Sequence, residues 1–350
     1  MKRAKVGIIG ASGYGGGELM RLLKPHPNVE LVGFSSRKHQ GKPLSESWPQ
    51  LPYPDLFESQ QAVIEKSDIL FLAIPNGLAM ELAPSLLQAG KRVSDLSADF
   101  RLPPEVYQQW YKTPHKSPEL YRQAVYGLPE FFRAEIAGAN LVANPGCYVT
   151  ASTLALAPLV SLGLVENIIV NAASGVSGAG REAEGTSFAE INENFKAYKV
   201  AGSHRHIPEI ELNLSRIEAQ GRQAKTHGKS GEVKITFTPH LAPMSRGILV
   251  TAYATPRRVL EGAELLGVYQ DFYQNEPFVR VSEALPETKG TTGSNLCWIS
   301  PKLDARTGQT IVFSAIDNLG KGMASQAVQN LNLMLGLAET TGLCTGGLWP

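Results

Sequence analysis

The sequence predicts an α/β protein in two parts: a parallel sheet covered by helices on both faces, then an α+β domain with a mixed, largely antiparallel sheet. Three observations carry this. From Lys5 to Leu96, short apolar runs alternate with helical patterns, as strands joined by crossover helices do. Beyond Leu162, strand patterns at 167–174, 232–238, 247–254, 295–300 and 310–315 follow one another with few helical stretches between them. A closing amphipathic stretch, Gly322 to Leu337, is expected to pack back on the first domain. The 350 residues suffice for two cores, and the boundaries read as 1–147 with 318–350 for the first domain and 148–317 for the second.

In order, Lys5-Val6-Gly7-Ile8-Ile9-Gly10 is a strand and Glu18 to Lys24 continues a helix. Between them lies Gly10-Ala11-Ser12-Gly13-Tyr14-Gly15-Gly16, with glycines at G-x-x-G-x-x-G spacing. Glycines there let the backbone turn tightly and approach a pyrophosphate seated on the helix N-terminus, the Rossmann arrangement. A merely structural glycine turn is the alternative. The second strand, Val29 to Phe34, runs into Ser35-Ser36-Arg37-Lys38. An acid at this place would take a free ribose 2′-hydroxyl, whereas hydroxyls and two cations suit a 2′-phosphate. NADP(H) is therefore expected over NAD, with an ordinary solvated basic loop as the alternative.

Ile69 to Ile74 and Arg92 to Leu96 are further buried strands, with a helix, Leu78 to Ala89, between them. Ligands of such sheets bind beyond the carboxyl ends of the strands. Pro75-Asn76-Gly77 and Ser97-Ala98-Asp99-Phe100-Arg101 fall on that side. Residues 102–135, rich in proline and aromatics, read as an excursion over the surface. Asn140 to Ala143 is a short strand, and Tyr148 to Leu162 has helical spacing. Pro145 and Gly146 can continue neither element, so they make a sharp turn that leaves Cys147 at a helix N-terminus. Unpaired N–H groups and the macrodipole there favour a negative charge, and the thiolate is the nucleophilic form of cysteine. A small inert residue at a tight turn is the competing reading, and the cofactor-side placement weighs against it.

The formal net charge of +1 argues against binding nucleic acid or an anionic membrane through a basic field. No apolar run approaches the roughly 18 residues of a membrane-spanning helix. Cys147, Cys297 and Cys344 are too scattered for a disulfide framework or a metal cluster. A cytoplasmic location, no metal and a small-molecule partner are expected.

A dinucleotide beside a thiolate suits chemistry in which a thioester and a thiohemiacetal are interconverted by hydride. Such chemistry needs an acid/base, usually histidine near neutral pH. Of seven histidines, His26, His39 and His115 lie in polar, Pro-flanked stretches read as surface. His227 sits in a loop read as exposed, and His240 reads as the start of a loop. The distinctive segment is Gly202-Ser203-His204-Arg205-His206-Ile207-Pro208-Glu209-Ile210-Glu211, where an extended chain would put His204 and His206 on one side. An activated acyl phosphate would also need cations. Arg101, Arg181, Arg205 and Arg246 are candidates that the sequence leaves unranked.

Taken together these segments resemble the N-acetyl-gamma-glutamyl-phosphate reductase family. The likeness rests on the glycine loop, Leu96 to Leu102, Tyr126-Gly127-Leu128-Pro129-Glu130, Asn144-Pro145-Gly146-Cys147-Tyr148, His204 to Glu209, and Ala315-Ile316-Asp317-Asn318-Leu319. It implies reduction of N-acetyl-γ-glutamyl phosphate to N-acetylglutamate semialdehyde, in arginine biosynthesis, with NADPH and a Cys147 thioester. It implies a homodimer or homotetramer formed through the second domain. His206 is then the acid/base with His204 as second choice, and Glu211 orients it. The cofactor falls to Gly10, Ser12, Gly13, Tyr14, Gly15, Gly16, Ser36, Arg37, Lys38, Pro75, Ser97, Ser177, Gly178 and Asn318. Asn144, Arg101, His204, Arg205 and Arg246 are left for the substrate. Aspartate-semialdehyde dehydrogenase shares the glycine loop and the chemistry but not the histidine segment, and a non-catalytic NADP sensor would need neither thiol nor histidines.

Overall fold

A computed structural model describes residues 3–181, 187–223 and 232–349. The chain divides into two units, Met1–Pro145 with Met323–Leu343, and Gly146–Gly322 with Cys344–Pro350. These limits differ from the sequence boundaries at the first join, where Gly146 and Cys147 fall in the second unit, and at the C-terminal end. Asn318 is tied by hydrogen bonds to Gly247 and Ser177, and Cys344 O accepts from Asn295 N, so both belong with the second unit.

The first unit holds one parallel sheet. Its strands are β1 (Ala4–Ile9), β2 (Val29–Ser35), β3 (Ile69–Leu72), β4 (Arg92–Asp95), β5 (Val125–Tyr126) and β6 (Leu141–Ala143), in the order β2-β1-β3-β4-β6-β5. All four residues of β3 are buried, as expected of a strand covered on both faces. The chain leaves β1 first toward β2 and later toward β3, so the carboxyl ends of β1 and β3 flank a topological switch point.

Two expectations are corrected here. Residues 102–135 are not simply a surface excursion. They form helices Pro104–Tyr111, Pro118–Tyr121 and Pro129–Ala137, each opened by a proline that needs no N–H partner, and they contribute β5 and the buried Tyr107 and Tyr126. The C-terminal helix is Ser325–Met334, preceded by a wider turn over Gly320–Ala324, and all ten of its residues are buried. Ala327, Val328 and Leu331 join the core around Val6, Ile8, Leu19 and Phe34. Its polar side is buried too because it is hydrogen-bonded: Gln326 and Asn330 donate to Gly127 O, and Asn332 to Glu339 O and Thr341 O.

The second unit holds β7 (Val165–Ser174), β8 (Lys196–Ala197), β9 (Ile235–Leu241), β10 (Ile248–Pro256), β11 (Val279–Val281), β12 (Cys297–Asp304) and β13 (Gln309–Ile316). Their order is β11-β12-β13-β10-β7-β9-β8, with β7/β9 and β11/β12 parallel and the other neighbours antiparallel. Along β7 and β10 alternate residues such as Ile168, Val170, Val250 and Ala252 are buried, while Ile169 and Tyr253 on the opposite face are exposed. Helices are more prominent than the sequence suggests. Cys147–Ser161 is apolar nearly all round and buried from Tyr148 to Val160, with Ile207–Gln223 and Gly262–Tyr273 beside it. Tyr269 and Tyr273 donate their hydroxyls to Ala155 O and Leu154 O, which fixes this central helix.

Three histidine readings also change. His26 is buried, with Nε2 at 3.0 Å from Asn332 Oδ1. His115 sits half-buried with Nε2 on Asp99 O. His240 lies within β9, stacked on Phe195. His227 lies outside the described residues.

Candidate active site

In the first unit the glycine loop is shaped by close backbone approach. Gly10 has φ +91°, and a Cβ on it would fall 2.1 Å from Ala73 O at the end of β3. A Cβ on Gly16 would lie 2.6 Å from Ala11 Cα. Only glycine fits either place. Gly13 caps the helix Tyr14–Leu23, so unpaired N–H groups face the loop. Gly15 packs against Met323, and Tyr14 is half-buried, its ring 6.4 Å from Trp48. Ser12 Oγ and Ser36 Oγ stand 2.8 Å apart, and Arg37 and Lys38 beside them are exposed.

On the same side, Asp95 accepts from Ser97 N and Ser97 Oγ, both at 2.9 Å. Asp99 accepts from Gly77 N, Met80 N and the Tyr107 hydroxyl, and Asn76 Oδ1 accepts from Ala98 N. These bonds fix the loop that begins at Pro75. Burial, reinforced by Asp99, raises the Asp95 pKa to about 7 against the pull of Ser97. Arg101 is buried and donates to Leu96 O at 2.8 Å. Asn144 is wholly buried: Nδ2 donates to Met323 O, and Oδ1 accepts from Asn330. The amide of Asn144, a residue the family resemblance left for the substrate, is thus bonded to the C-terminal helix and to the turn before it.

In the second unit Gly146 is the extended cap before the helix that Cys147 begins, and Cys147 is half-buried. A Cβ on Gly146 would lie 2.6 Å from His206 Nε2, so the imidazole rests directly on the turn that carries the thiol. A Cβ on Gly322 would lie 2.8 Å from Cys147 Cβ, so this residue leaves room on another side. His206 does not sit on an extended segment. His204 O accepts from Ile207 N and His206 O from Ile210 N, and the two histidines form the entry of the helix Ile207–Gln223.

Glu209, in the first turn of that helix, accepts the Gly146 N–H at 3.1 Å. Glu211, the orienting carboxylate expected from sequence, is instead engaged elsewhere, accepting from Ile235 N and Lys234 Nζ. No sequence signal links Glu209 to Gly146: capping-box spacing from His206 would aim this acid at the His206 N–H, which His204 Nδ1 accepts instead.

Rings of Tyr148, Tyr198, Phe237 and His206 surround His204, with centroids 4.9–5.6 Å away. Tyr198 donates to the Tyr148 hydroxyl, which donates to His240 O. Burial raises both phenols, Tyr198 to about 12 and Tyr148 further, and the charge of Cys147 adds to each.

Arg246 donates to Asp317, with Nη2 at 2.8 Å from Oδ2. Asp317 is fully buried and also accepts from Gly293 N, Leu319 N and Gly320 N. Asn318 accepts from Gly247 N and donates to Ser177 Oγ, so the paired loops at 175–177 and 244–247 are fixed together. Arg181 and Arg205 are exposed, as is Gly178. No sequence spacing links Arg246 to Asp317, 71 positions along the chain, so this pairing is visible only in the fold. Among the described residues no His/Cys/Asp/Glu group could hold a metal, and no helix is long and apolar enough to cross a membrane.

The chain matches two family models, described as "Semialdehyde dehydrogenase, NAD binding domain" over residues 5–139 and "Semialdehyde dehydrogenase, dimerisation domain" over residues 147–318. It is 64% identical over 345 residues to the N-acetyl-gamma-glutamyl-phosphate reductase of Thermus thermophilus, covering 99% of this chain and all of that one. With the protein of the same name from Desulforudis audaxviator it shares 49% identity, over 99% of both chains. Aspartate semialdehyde dehydrogenase II of Vibrio cholerae, solved in complex with ASA, superposes with a TM-score of 0.71 over 96% of this chain and 99% of its own, at 18% identity, a likeness of fold.

Proposed function

The chain belongs to the semialdehyde dehydrogenase family, among the N-acetyl-gamma-glutamyl-phosphate reductases, and from that premise we propose that it reduces N-acetyl-γ-glutamyl phosphate to N-acetylglutamate semialdehyde and phosphate, using NADPH, as a step of arginine biosynthesis. Gly10 and Gly16 leave the backbone cradle that a pyrophosphate needs, and the N–H groups behind Gly13 suit its charge. Ser12, Ser36, Arg37 and Lys38 suit a ribose 2′-phosphate. When bound, NADPH supplies the hydride.

The chain's own residues do the rest. The Cys147 thiolate attacks the γ-acyl carbon, the bond from that carbon to the phosphate oxygen breaks, and phosphate leaves a thioester on Sγ. The oxyanion left by reduction at the acyl carbon takes a proton from the His206 imidazolium, and His206 takes that proton back as the carbon–sulfur bond breaks. The aldehyde departs and Cys147 returns as thiolate. Arg246, braced by Asp317, anchors an anionic group of the substrate. The chain works in the cytoplasm as a homodimer or homotetramer joined through its second unit.

The single observation that carries this reading is the imidazole of His206 laid on the backbone of the turn that starts the Cys147 helix. The test runs the reaction in reverse, following NADP reduction with N-acetylglutamate semialdehyde and phosphate, and separately with aspartate semialdehyde. Turnover only with the second substrate overturns the proposal, and turnover with neither indicates a binding protein. Cys147→Ser should lose turnover while NADP affinity stays within about twofold; retained activity sinks the thioester.

A further inference from the structure

His204 and His206 are two residues apart, their rings 4.9 Å apart and nearly perpendicular, yet the structure treats them differently. His206 is half-exposed at the turn beside Cys147. His204 is buried, and its Nδ1 accepts the backbone N–H of His206 at 3.1 Å. Its carbonyl accepts from Ile207 N, so the one residue satisfies two of the N–H groups at this helix entry.

We propose that His204 is a positioning residue: a permanently neutral imidazole, protonated on Nε2 alone, whose Nδ1 holds the His206 backbone and so sets the His206 ring against Cys147. This rests on the reading of Cys147 and His206 given above.

The acceptor geometry demands the neutral form. An imidazolium carries a proton on both nitrogens, and a proton on Nδ1 would face the His206 N–H and break the cap. The surroundings enforce neutrality. Tyr148 from the Cys147 helix, Tyr198 from the turn after β8 and Phe237 from β9 enclose the ring, and neither phenol ionises near neutral pH. The charged groups that act on it are cationic or can become so, His206, Lys199 and Arg205, while the charge of Cys147 falls on the two enclosing phenols. Burial first and these cations next push His204 down to about 2. Two like groups whose environments force their proton affinities apart can divide one task. Here one imidazole is removed from titration so that the other can titrate alone.

The experiment uses the full-length protein and three variants. Asn at 204 offers an Oδ1 that can take the same N–H two residues on, so His204→Asn should keep kcat within about threefold and leave the pH limb of kcat unmoved. His204→Phe fills the cage without an acceptor, and a misplaced acid/base should cost about 10- to 100-fold in kcat with NADPH affinity unchanged. His206→Asn should lose the pH limb and about 10²- to 10⁴-fold in kcat. Tautomer-sensitive ¹⁵N NMR of the wild-type imidazoles should show His204 as the Nε2–H form at every pH from 5.5 to 9. Protonation of His204 in that range, or loss of the pH limb in His204→Asn, overturns the assignment. Wild-type activity and pH profile in His206→Asn would instead overturn the underlying acid/base reading, leaving the NMR result for His204 intact.

Discussion

Replacing Gly146 with alanine tests the geometry of the active turn with one methyl group. The backbone at 146 is extended, φ −68° and ψ 146°, which alanine adopts freely, so the substitution adds no backbone strain. What it adds is a Cβ at 2.6 Å from His206 Nε2, 2.9 Å from Cε1 and 3.0 Å from Cδ2. Ordinary contact begins at 3.4 Å, so the ring must retreat by about 0.8 Å, face-on, away from the turn. His206 is half-exposed and can move, so the cost to folding should stay near the low end of overpacking, about 1 kcal/mol. Catalysis is less forgiving: a misplacement of about 1 Å can cost on the order of 10²-fold, equivalent to about 2.7 kcal/mol in the barrier. The expected result is a kcat lowered about 100-fold, NADPH affinity unchanged, and a melting temperature lowered by only a few degrees. Gly262→Ala is the control, since it opens a helix with nothing within 4 Å of the added Cβ; it should be active and slightly more stable. Wild-type kcat in Gly146→Ala would refute the role of the His206 ring at this turn.

Two further outcomes are expected. Arg37→Ala combined with Lys38→Ala should weaken NADPH by about 10- to 100-fold, from two lost charge-assisted contacts, and change NADH little; equal losses in a titration of both cofactors would show that these cations do not read the 2′-phosphate. Asp95, raised to about 7 by burial and by Asp99, holds its proton in the folded protein over a range in which the unfolded chain has lost it. Its contribution to stability is therefore full below about pH 4 and is lost as pH rises through about 7. Asp95→Asn should flatten the fall in melting temperature between pH 5 and 8, and an unchanged slope would refute the shift.

Much of this molecule is legible in its sequence because the strongest signals are local. The glycines after β1 and the Pro145-Gly146 turn each dictate backbone geometry within a few residues, and Cys147 opens its helix accordingly. What escapes is set by partners distant along the chain. β5 has only two residues, too few to show a period, and is a strand because β6 offers it hydrogen bonds. The helix Ser325–Met334 carries Gln326, Asn330 and Asn332 on what looks like a wet face, yet that face is buried because Gly127, Glu339 and Thr341 supply acceptors. Glu209 and Glu211 differ by two positions, and only the start of the helix at Ile207 decides which reaches Gly146. Asp317 needed the fold to bring Arg246 to it.

The helix Ser325–Met334 also sets the order of events when the chain is made. The core of the first unit takes Ala327, Val328 and Leu331 from it, alongside Ile8 and Leu19 near the other end of the chain. Synthesis proceeds from the N-terminus at about 5–20 residues per second, and domains ordinarily fold as they emerge. This one must wait. Until residue 334 is free of the ribosome, the sheet of β1 to β6 has an open apolar side, while the segment 146–322 has already been delivered. A fragment ending at Pro145 would carry the whole glycine loop and all six strands and still lack part of its own interior, so the cofactor half of this protein cannot be obtained by cutting the chain once.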